Sequence, residues 1–503
     1  MARYKNYNYD QSKLIPINFS DQILPGTFEY TLNYLVDQEL DLSVFEARYK
    51  NDDSGSPAYD PAILLKIVLA AYSRGFTSSR SIGQLCRENV IFMALSADSQ
   101  PHFTTIASFV SNMSDVIQPL FLQVLMTCGN AGLIGEEMFA IDGCKLPSNA
   151  SKDWSGTHAD LNKKQRKIDK AVRYMLKRHK DDDAKQINTG EIRHKEEQQI
   201  KKLRTISKKI KKYLTTTDER LGSRGKPIKS NITDNESAKM KTSHGTIQGY
   251  VGVSAVDSKH QIIISAEAFG QGPEHDLLEP IVEQTKQHLG LGYIHKAKLT
   301  ADSGFHNKHN VAYCQTENID AYLVDQSFRS RDPRFKDYKR YKPKEKQKTY
   351  FSPEDFSYNK SKNTCHCPAG KTLWLSSQNI NMGEYLYNRY EGYLHDCKTC
   401  AVQQQCMRKP VTDRGRQVSI RIGEATRNTP NILKQMQEKV DSRQGRHIYS
   451  QRIGTVEPVF GNINTNKRLN RFSLRGKEKV NAQWLMYCMV HNIEKIQHYA
   501  KAR

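Results

Sequence analysis

Apolar and polar residues alternate along this chain in blocks that predict helices first and then a mixture of strands and helices. From residue 11 to about 135, apolar positions recur at helical spacing, as in the run from Pro61 to just before Gly75. Proline is favoured in the first turn of a helix and glycine just past its end. We therefore expect a helical domain over residues 1–135.

Two more helix starts follow in this region. Ser78 or Ser79 is a candidate N-cap for the segment that begins at Arg80, and Thr104-Thr105 can cap the next segment. Short helices joined by Gly- and Ser-containing turns fit a helix-turn-helix DNA-binding unit. They fit an ordinary helical bundle without DNA contact equally well. The pattern alone leaves both interpretations open, with DNA binding as our working expectation.

The next block predicts a mixed sheet. Apolar runs at residues 138–141 and 297–301 read as strands, and residues 250–256 and 261–266 read as a β-hairpin. Helical patterns at about 276–289 and 309–318 lead to a further strand at 321–324. We expect a mixed sheet with helices on its faces over residues 136–326, the first part of an α/β domain.

A highly charged segment interrupts this domain between residues 155 and 225. From residue 163 to about 212 a narrow apolar seam recurs at helical intervals among Lys, Arg, Glu and Gln. It predicts a helical hairpin that has its turn near residues 181–183. A charge run of this kind is usually a solvated helix face, and its excess of Lys and Arg leaves a phosphate-contacting role open.

The last third of the chain divides in two. Residues 327–445 are basic and cysteine-rich, and residues 446–503 end in an amphipathic helix that follows Gly476. His491 on that helix is better interpreted as a core or boundary residue than as a ligand. We expect this last part to complete the α/β domain.

Charge narrows the range of partners. The 503-residue chain has a formal net charge of +22 and a pI near 9.4. Such an excess favours polyanions, with nucleic acid first and a merely well-solvated surface as the alternative. No apolar run approaches the roughly 18 residues of a membrane span, and the start lacks the apolar core of a signal peptide. We expect a cytoplasmic protein without a membrane partner.

Three acidic residues stand in matched settings. Asp142 and Asp302 each end an apolar run and are followed within two residues by glycine, and Glu457 lies in the segment TVEPVFG. An Asp at the carboxyl end of a strand stands at a sheet edge where ligands collect. Hard divalent cations such as Mg²⁺ take carboxylate ligands and leave positions for phosphate oxygens. We therefore expect the three carboxylates to converge beside nucleic acid.

Four groups of motifs resemble those of the DDE transposases of bacterial insertion sequences, in the group called insertion sequence eleven-eighty-two. The helical segment 61–109 resembles the N-terminal domain of that group, so the resemblance covers nearly the whole chain. The motifs lie at residues 140–145 (AIDGCK) with 149–151, at 230–237, at 300–305 (TADSGF), and at 451–461 with 470–476 (NRFSLRG).

The resemblance implies a fold and an activity. It implies an RNase H-like catalytic domain in which Asp142, Asp302 and Glu457 bind Mg²⁺ or Mn²⁺. The reaction would be cleavage and strand transfer of double-stranded DNA at the terminal inverted repeats, with insertion into target DNA. A homodimer on DNA and association with the nucleoid are expected. A nuclease of the same fold and a catalytically inactive DNA-binding relative are the alternatives.

Related transposases carry a Tyr, Arg, Glu, Lys signature around the last acid. Here Tyr449, Arg452 and Glu457 are present, although the Arg-to-Glu interval is one residue longer than usual. The position expected for Lys holds Asn464, and Lys467 lies nearby. The DNA contacts predicted in this region are Arg452, Lys467, Arg471 and Arg475.

The ten cysteines fall into two classes. Five are isolated in apolar surroundings and are expected to be small buried residues: Cys86, Cys128, Cys144, Cys314 and Cys488. The other five cluster between Cys365 and Cys406, where metal binding is favoured over disulfides in a cytosolic chain. One CxxC pair suits tetrahedral Zn²⁺, with Cys365, His366 and His395 as spare ligands and unliganded thiols as the alternative. The family resemblance favours a structural zinc on Cys367, Cys397, Cys400 and Cys406.

Overall fold

The computed structural model describes residues 16–48, 57–184, 190–222, 225–243, 245–335, 350–382, 385–424 and 431–500. These residues form two compact units. Unit 1 holds the described residues up to 328 and from 432 onward, and unit 2 holds residues 329–431. Unit 2 is therefore inserted into the sequence of unit 1. The other predicted domain boundaries remain predictions, and residues 336–349 of the predicted basic and cysteine-rich segment 327–445 lie outside the described residues.

Unit 1 begins with six α-helices. The side chain of Asp60 accepts a hydrogen bond from the Ala62 amide, Pro61 occupies the first turn of α2, and Gly75 follows with a φ of 78°. Residue 78 is the N-cap of α3 as predicted. The predicted cap at Thr104-Thr105 was wrong, because His102 caps α5 one turn earlier. The helices are α1 (Phe28–Tyr34), α2 (Pro61–Ser73), α3 (Ser79–Glu88), α4 (Val90–Leu95), α5 (Phe103–Ser111) and α6 (Ile117–Asn130).

The rest of unit 1 before the insertion contains eight strands and four helices. In chain order these are β1 (Met138–Pro147), β2 (Ser155–Gly156), α7 (His158–Ala184), α8 (Gly190–Thr216), β3 (Ser230–Asn231), β4 (Ala238–Thr242), β5 (Gly245–Asp257), β6 (Ile263–Phe269), α9 (Leu278–Lys296), β7 (Lys298–Ala301), α10 (Lys308–Thr316) and β8 (Ala321–Leu323).

Six of these strands form one mixed sheet. Its order is β4-β5-β1-β7-β8, and β6 also pairs with β5. β1 is antiparallel to β5 and parallel to β7, and β7 is parallel to β8. The predicted fold class is confirmed, because a mixed sheet with flanking helices is compatible with an RNase H-like domain.

The charged segment forms the predicted helical hairpin. Leu161 on α7 and Ile210 and Tyr213 on α8 are buried in a narrow apolar seam. Polar contacts extend that seam: His179 pairs with Glu196, and Ser207 donates to Asp169. The residues that connect the two helices, 185–189, lie outside the described residues.

Unit 2 begins within α11 (Phe328–Arg331) and contains a five-stranded antiparallel sheet. Its small core consists of Phe356, Cys365, Leu373, Tyr390 and Val418. The sheet order is β13-β12-β11-β10-β9, and the elements are β9 (Ser357–Asn359), β10 (Thr364–His366), β11 (Thr372–Met382), β12 (Tyr385–Glu391), α12 (Leu394–Lys398), α13 (Gln403–Cys406) and β13 (Gln417–Glu424).

Three helices then complete unit 1: α14 (Ile432–Asp441), α15 (Arg443–Gly461) and α16 (Lys477–Tyr499). α16 packs closely on the sheet, because Gly252 of β5 leaves room for the ring of Trp484, whose Nε1 donates to the Val253 carbonyl at 3.2 Å. A Cβ on Gly252 would stand 2.9 Å from that ring. His491 is 1% exposed, which confirms its interpretation as a core residue. Among the described helices, none has the length and apolar character to cross a membrane.

Candidate active site

Asp142 and Asp302 lie where the parallel pairing of β1 with β7 ends. The two strands pair in register up to Ile141 and Ala301, so the next residue along each segment is an aspartate. Each aspartate accepts a hydrogen bond from a backbone amide just beyond it, from Gly143 at 2.8 Å and from Gly304 at 2.9 Å. Asp302 directly follows the last residue of β7, as predicted. The prediction that Asp142 ends a strand was wrong, because β1 continues to Pro147 in its pairing with β5.

Arg452 of α15 holds one of these carboxylates. Its Nη2 lies 2.6 Å from Asp142 Oδ2, and the arginine side chain is 8% exposed. Its Nε has no hydrogen-bond partner among the described residues. Burial raises the pKa of Asp142 to about 6; Arg452 acts in the opposite direction, and the negative charges of Asp302 and Glu274 add to the rise. The carboxylate is therefore held in an environment that disfavours its charge.

Glu274 is a third acidic residue at this site, and the sequence analysis did not select it. It lies in the loop between β6 and α9, and its carboxylate is 3.1 Å from Lys145 Nζ of β1. Burial raises the pKa of Glu274, Lys145 opposes that rise, and Asp302 adds to it. The site therefore contains three carboxylates and two cationic side chains within one network.

Gly304 allows Glu274 to approach Asp302. A Cβ on Gly304 would stand 2.5 Å from Glu274 Oε2 and 3.0 Å from Asp302 Oδ1. Gly143 has a different role, because a Cβ at that position would stand 2.9 Å from Val251 Cγ1 of the neighbouring strand β5 and in ordinary contact, 3.7 Å, with Glu274 Oε1. The glycine after Asp302 thus leaves room for the carboxylate of Glu274.

Glu457 occupies a different face of α15 from Arg452. It is exposed, whereas Arg452, Thr455 and Val456 are buried. Five residues along an α-helix turn the side-chain direction by about 500°, so Arg452 and Glu457 leave the axis about 140° apart. The carboxylate that the described contacts bring to the two aspartates is Glu274, and the role of Glu457 stays a prediction.

The other predicted DNA contacts divide by exposure. Lys467 is 0% exposed and forms an ion pair with Glu494, and burial lowers its pKa. A lysine without solvent exposure does not reach a phosphate, so the structure contradicts the predicted DNA contact of Lys467. Arg471 and Arg475 are exposed, and Arg475 Nε donates to the Asn149 carbonyl at 2.7 Å. Their DNA contacts remain predictions.

The donors at the sheet edge are of the kind that Mg²⁺ or Mn²⁺ requires. Asp142, Asp302 and Glu274 supply carboxylate oxygens, and the room that Gly304 leaves is bounded by two of these groups. In the described part of the chain no group of three or more His, Cys, Asp or Glu side chains is already arranged around a metal position. Arg452 and Lys145 instead balance the negative charge.

The cysteine cluster of unit 2 surrounds one pocket. Cys367, Cys397, Cys400 and Cys406 all line it. The Lys371 amide donates to Cys367 Sγ at 3.3 Å, and the Arg416 amide donates to Cys397 Sγ at 3.5 Å. Burial raises the pKa of Cys406, and the three neighbouring cysteines add to the rise. Of the isolated cysteines, four are buried as expected, whereas Cys144 is only partly buried.

Two family models match the chain. Residues 17–112 match the model described as Transposase domain (DUF772), and residues 366–497 match the model described as Transposase DDE domain. No curated protein matches the chain. The second match includes Glu457 and Arg452, whereas Asp142 and Asp302 lie outside both.

Both matches agree with the resemblance found in the motifs and are consistent with its insertion-sequence group. They cover the helical start of unit 1 and a segment that runs from unit 2 to α16. DDE transposase domains generally use divalent metals, and a transposase implies DNA as a partner. Two segments of the chain, residues 17–112 and 366–497, are thus similar to transposase domains, and this similarity supports a DDE transposase of an insertion sequence.

Proposed function

We propose that this transposase cleaves DNA at the ends of its own insertion sequence and joins those ends to target DNA. The observation that carries the proposal is the register of β1 and β7, which sets Asp142 beside Asp302 at one sheet edge. Glu457 is the third acid of the proposed triad; it lies in the matched DDE segment and is exposed, so it is open to a DNA substrate.

The proposed chemistry is two displacements at phosphorus. In the first, the oxygen of water bonds to phosphorus, the bond from phosphorus to the 3′ oxygen breaks, and that oxygen takes a proton. In the second, the freed 3′ hydroxyl bonds to a target-strand phosphorus, loses its proton, and releases a different 3′ oxygen. Each step exchanges one phosphodiester bond and needs no oxidant or reductant. Bound divalent cations would activate the attacking oxygen and stabilise the leaving one.

The side chains of the site have separate roles in this proposal. Asp142 and Asp302 would hold the cations as charged carboxylates, with Glu457 as the third ligand. Arg452 keeps Asp142 oriented along the strand edge, and Lys145 does the same for Glu274. Once cations neutralise the carboxylates, both basic groups are available to phosphate oxygens. Arg471 and Arg475 are proposed as further phosphate contacts, and two copies of the chain would hold the two DNA ends.

A direct test uses a DNA fragment that carries the flanking terminal repeats, with Mg²⁺ or Mn²⁺. Asp302→Asn should abolish cleavage and leave DNA affinity largely intact, because the amide lacks the charge that holds a cation. Asp320→Asn is the matched control, since Asp320 lies beside β8 of the same sheet and pairs with Lys439. Wild-type cleavage by Asp302→Asn would refute the assignment. Cleavage without joining would identify a nuclease, and binding without cleavage an inactive relative.

We also propose a structural Zn²⁺ on Cys367, Cys397, Cys400 and Cys406. The support is that these four thiols share one pocket and that backbone amides donate to two of the sulfurs. Four soft ligands suit tetrahedral Zn²⁺ and do not suit phosphate chemistry, which requires oxygen ligands. The zinc would hold together a unit whose buried apolar core is small.

A further inference from the structure

One face of α7 carries an uninterrupted row of basic side chains. Six basic residues and Tyr174 recur at helical spacing, and all seven are exposed: Lys163, Arg166, Lys167, Lys170, Arg173, Tyr174 and Lys177. We call this row the α7 basic face. The members lie one or two residues after seam positions such as Leu161, Gln165 or Val172, which places the row about 100–200° from the seam. The α7 basic face is therefore turned away from α8.

No acidic side chain balances this face. Between residues 163 and 177 the one acid is Asp169, which accepts a hydrogen bond from Ser207 of α8 at 2.6 Å and lies 3.4 Å from Lys211. Asp169 therefore contacts α8 at the apolar seam and does not neutralise the α7 basic face. Positive charges three and four residues apart on a helix repel each other. An ordinary solvated helix face would alternate the two signs.

The dimensions of the face match a nucleic-acid backbone. From Lys163 to Lys177 the helix rises about 21 Å at 1.5 Å per residue. That length corresponds to about six base pairs of duplex DNA at 3.4 Å per step along one strand. The side chains of Lys163, Arg166, Lys167 and Lys170 lie around one shallow, open depression on α7 together with Ala159 and Asn162. Four cationic groups are thus clustered on one short stretch of the helix.

We propose that the α7 basic face binds the phosphate backbone of duplex DNA outside the site of strand cleavage. Its contacts are to phosphate and carry no sequence information, because every member but Tyr174 is a basic side chain. The inference rests on the proposed function only in taking DNA as the substrate. The α7 basic face would be a second DNA-binding surface, separate from the active site, that binds the duplex before cleavage.

The test compares two variants of the full chain with the same loss of charge. The first changes Lys163, Arg166, Lys167 and Lys170 to Gln. The control makes the same change at four exposed lysines of α8: Lys195, Lys202, Lys209 and Lys212. Affinity for a fluorescent duplex is measured as a function of salt, in an Asp302→Asn background so that the DNA stays intact. Circular dichroism verifies that both variants retain their helices.

We expect the α7 variant to lose at least tenfold in affinity at low salt. The slope of log affinity against log salt should fall by about 0.9 for each phosphate contact removed. In the α8 control, the change in log affinity and the change in the salt slope should each be less than half of the change in the α7 variant. Equal effects of the two variants would overturn the proposal, since total charge alone would then be responsible.

Two other outcomes would also overturn it. Unchanged affinity of the α7 variant, with wild-type binding intact, would remove the face from the DNA interface and leave the proposed function standing. Loss of self-association in sedimentation, with DNA affinity retained, would identify the face as a contact between two copies of the chain. Absence of wild-type DNA binding would instead contradict the proposed function itself.

Discussion

Arg452 Nη2 of α15 lies 2.6 Å from Asp142 Oδ2 of β1, so the ion pair joins the helix of the matched DDE segment to the first strand of the sheet. Both partners are largely buried, with side-chain exposures of 8% and 20%. Removing one partner of such a pair leaves the other charge without compensation. The pair therefore couples the stability of unit 1 to the charge state of its proposed site.

Arg452→Gln should destabilise unit 1 by on the order of 3 kcal/mol near pH 7.5 and by clearly less near pH 5. The folded-state pKa of Asp142 is already raised to about 6, and loss of Arg452 raises it further. A raised carboxyl pKa gives a stability contribution that is present at low pH and is lost as the pH rises through the folded pKa. Urea unfolding at the two pH values measures the difference.

Arg446→Gln is the matched control for that experiment. Arg446 lies on the same helix and contacts Asp441 at 2.9 Å, away from the two strand aspartates. In Arg446→Gln, the change in the free energy of unfolding between pH 5 and pH 7.5 should be close to the change in the wild type. A pH-independent effect of Arg452→Gln would contradict the proposed coupling to Asp142.

Glu274→Gln should lower the pH at which the site takes up Mn²⁺. The negative charge of Glu274 contributes to the raised pKa of Asp142, so its removal makes Asp142 easier to ionise. Mn²⁺ affinity falls as the pH drops through that pKa, because the ligand must be a carboxylate. Electron paramagnetic resonance of free Mn²⁺, recorded from about pH 5 to pH 8, gives the midpoint.

Glu279→Gln serves as the comparison in the Mn²⁺ experiment, because Glu279 is an exposed residue that pairs with His309. Its midpoint should equal that of the wild type. If Glu274→Gln shares that unchanged midpoint, Glu274 does not act on Asp142.

Cys400→Ser should remove zinc from the purified protein and loosen unit 2. We expect about one zinc per wild-type chain in metal analysis, and far less in the variant, because three thiolates bind the ion more weakly than four. Proteolysis should then cut within residues 360–410 more readily. Cys314→Ser should keep the zinc, since Cys314 is buried in unit 1. Zinc-free wild-type protein, purified without chelators, would exclude the site.

Acid should destabilise unit 1 through His491. This side chain is buried, its Nε2 donates to the Gln261 carbonyl at 2.9 Å, and its Nδ1 accepts from Asn462. Burial lowers its pKa from 6.5 to about 3. The neutral ring's contribution to stability is therefore complete above pH 6.5 and is lost as the pH falls toward 3, by about 3 kcal/mol near pH 4.5.

His491→Gln isolates this contribution. The glutamine does not titrate, so the free energy of unfolding should depend less on pH between about 4.5 and 7, even if the variant is less stable at neutral pH. His309→Gln, at an exposed position, should retain the acid sensitivity of the wild type. Equal pH dependence in all three proteins would show that another group titrates.

The strands and helices of unit 1 could be predicted because their signals are local. The β5–β6 hairpin, the strand before Asp302 and the last helix each follow from a continuous apolar pattern. The position of Asp142 beside Asp302 could be anticipated in part, because Asp302 follows the end of its strand, whereas β1 continues past Asp142 to Pro147. The sequence signal was that each aspartate follows an apolar run and is followed within two residues by glycine.

The contacts of Glu274 and Lys467 could not be predicted from the residues next to them in the sequence. Glu274 lies in the polar loop after Gly272-Pro273, and its approach to Asp302 depends on room left by Gly304, which is distant in sequence. Lys467 was predicted to contact DNA from its spacing after Glu457, yet it is buried against Glu494 of α16. Both outcomes depend on contacts between segments that no sequence window contains.

The contact of Trp484 with β5 has a consequence for synthesis of the protein on the ribosome. Trp484 and Val253 are separated by 231 residues, so the nascent chain exposes an uncovered β5 until α16 emerges. At about 5–20 residues per second, that interval is on the order of ten seconds or more. Unit 2 is continuous in sequence and emerges whole within the interval. The apolar face of β5 that α16 covers is then a natural substrate for chaperones that bind exposed apolar surface during translation.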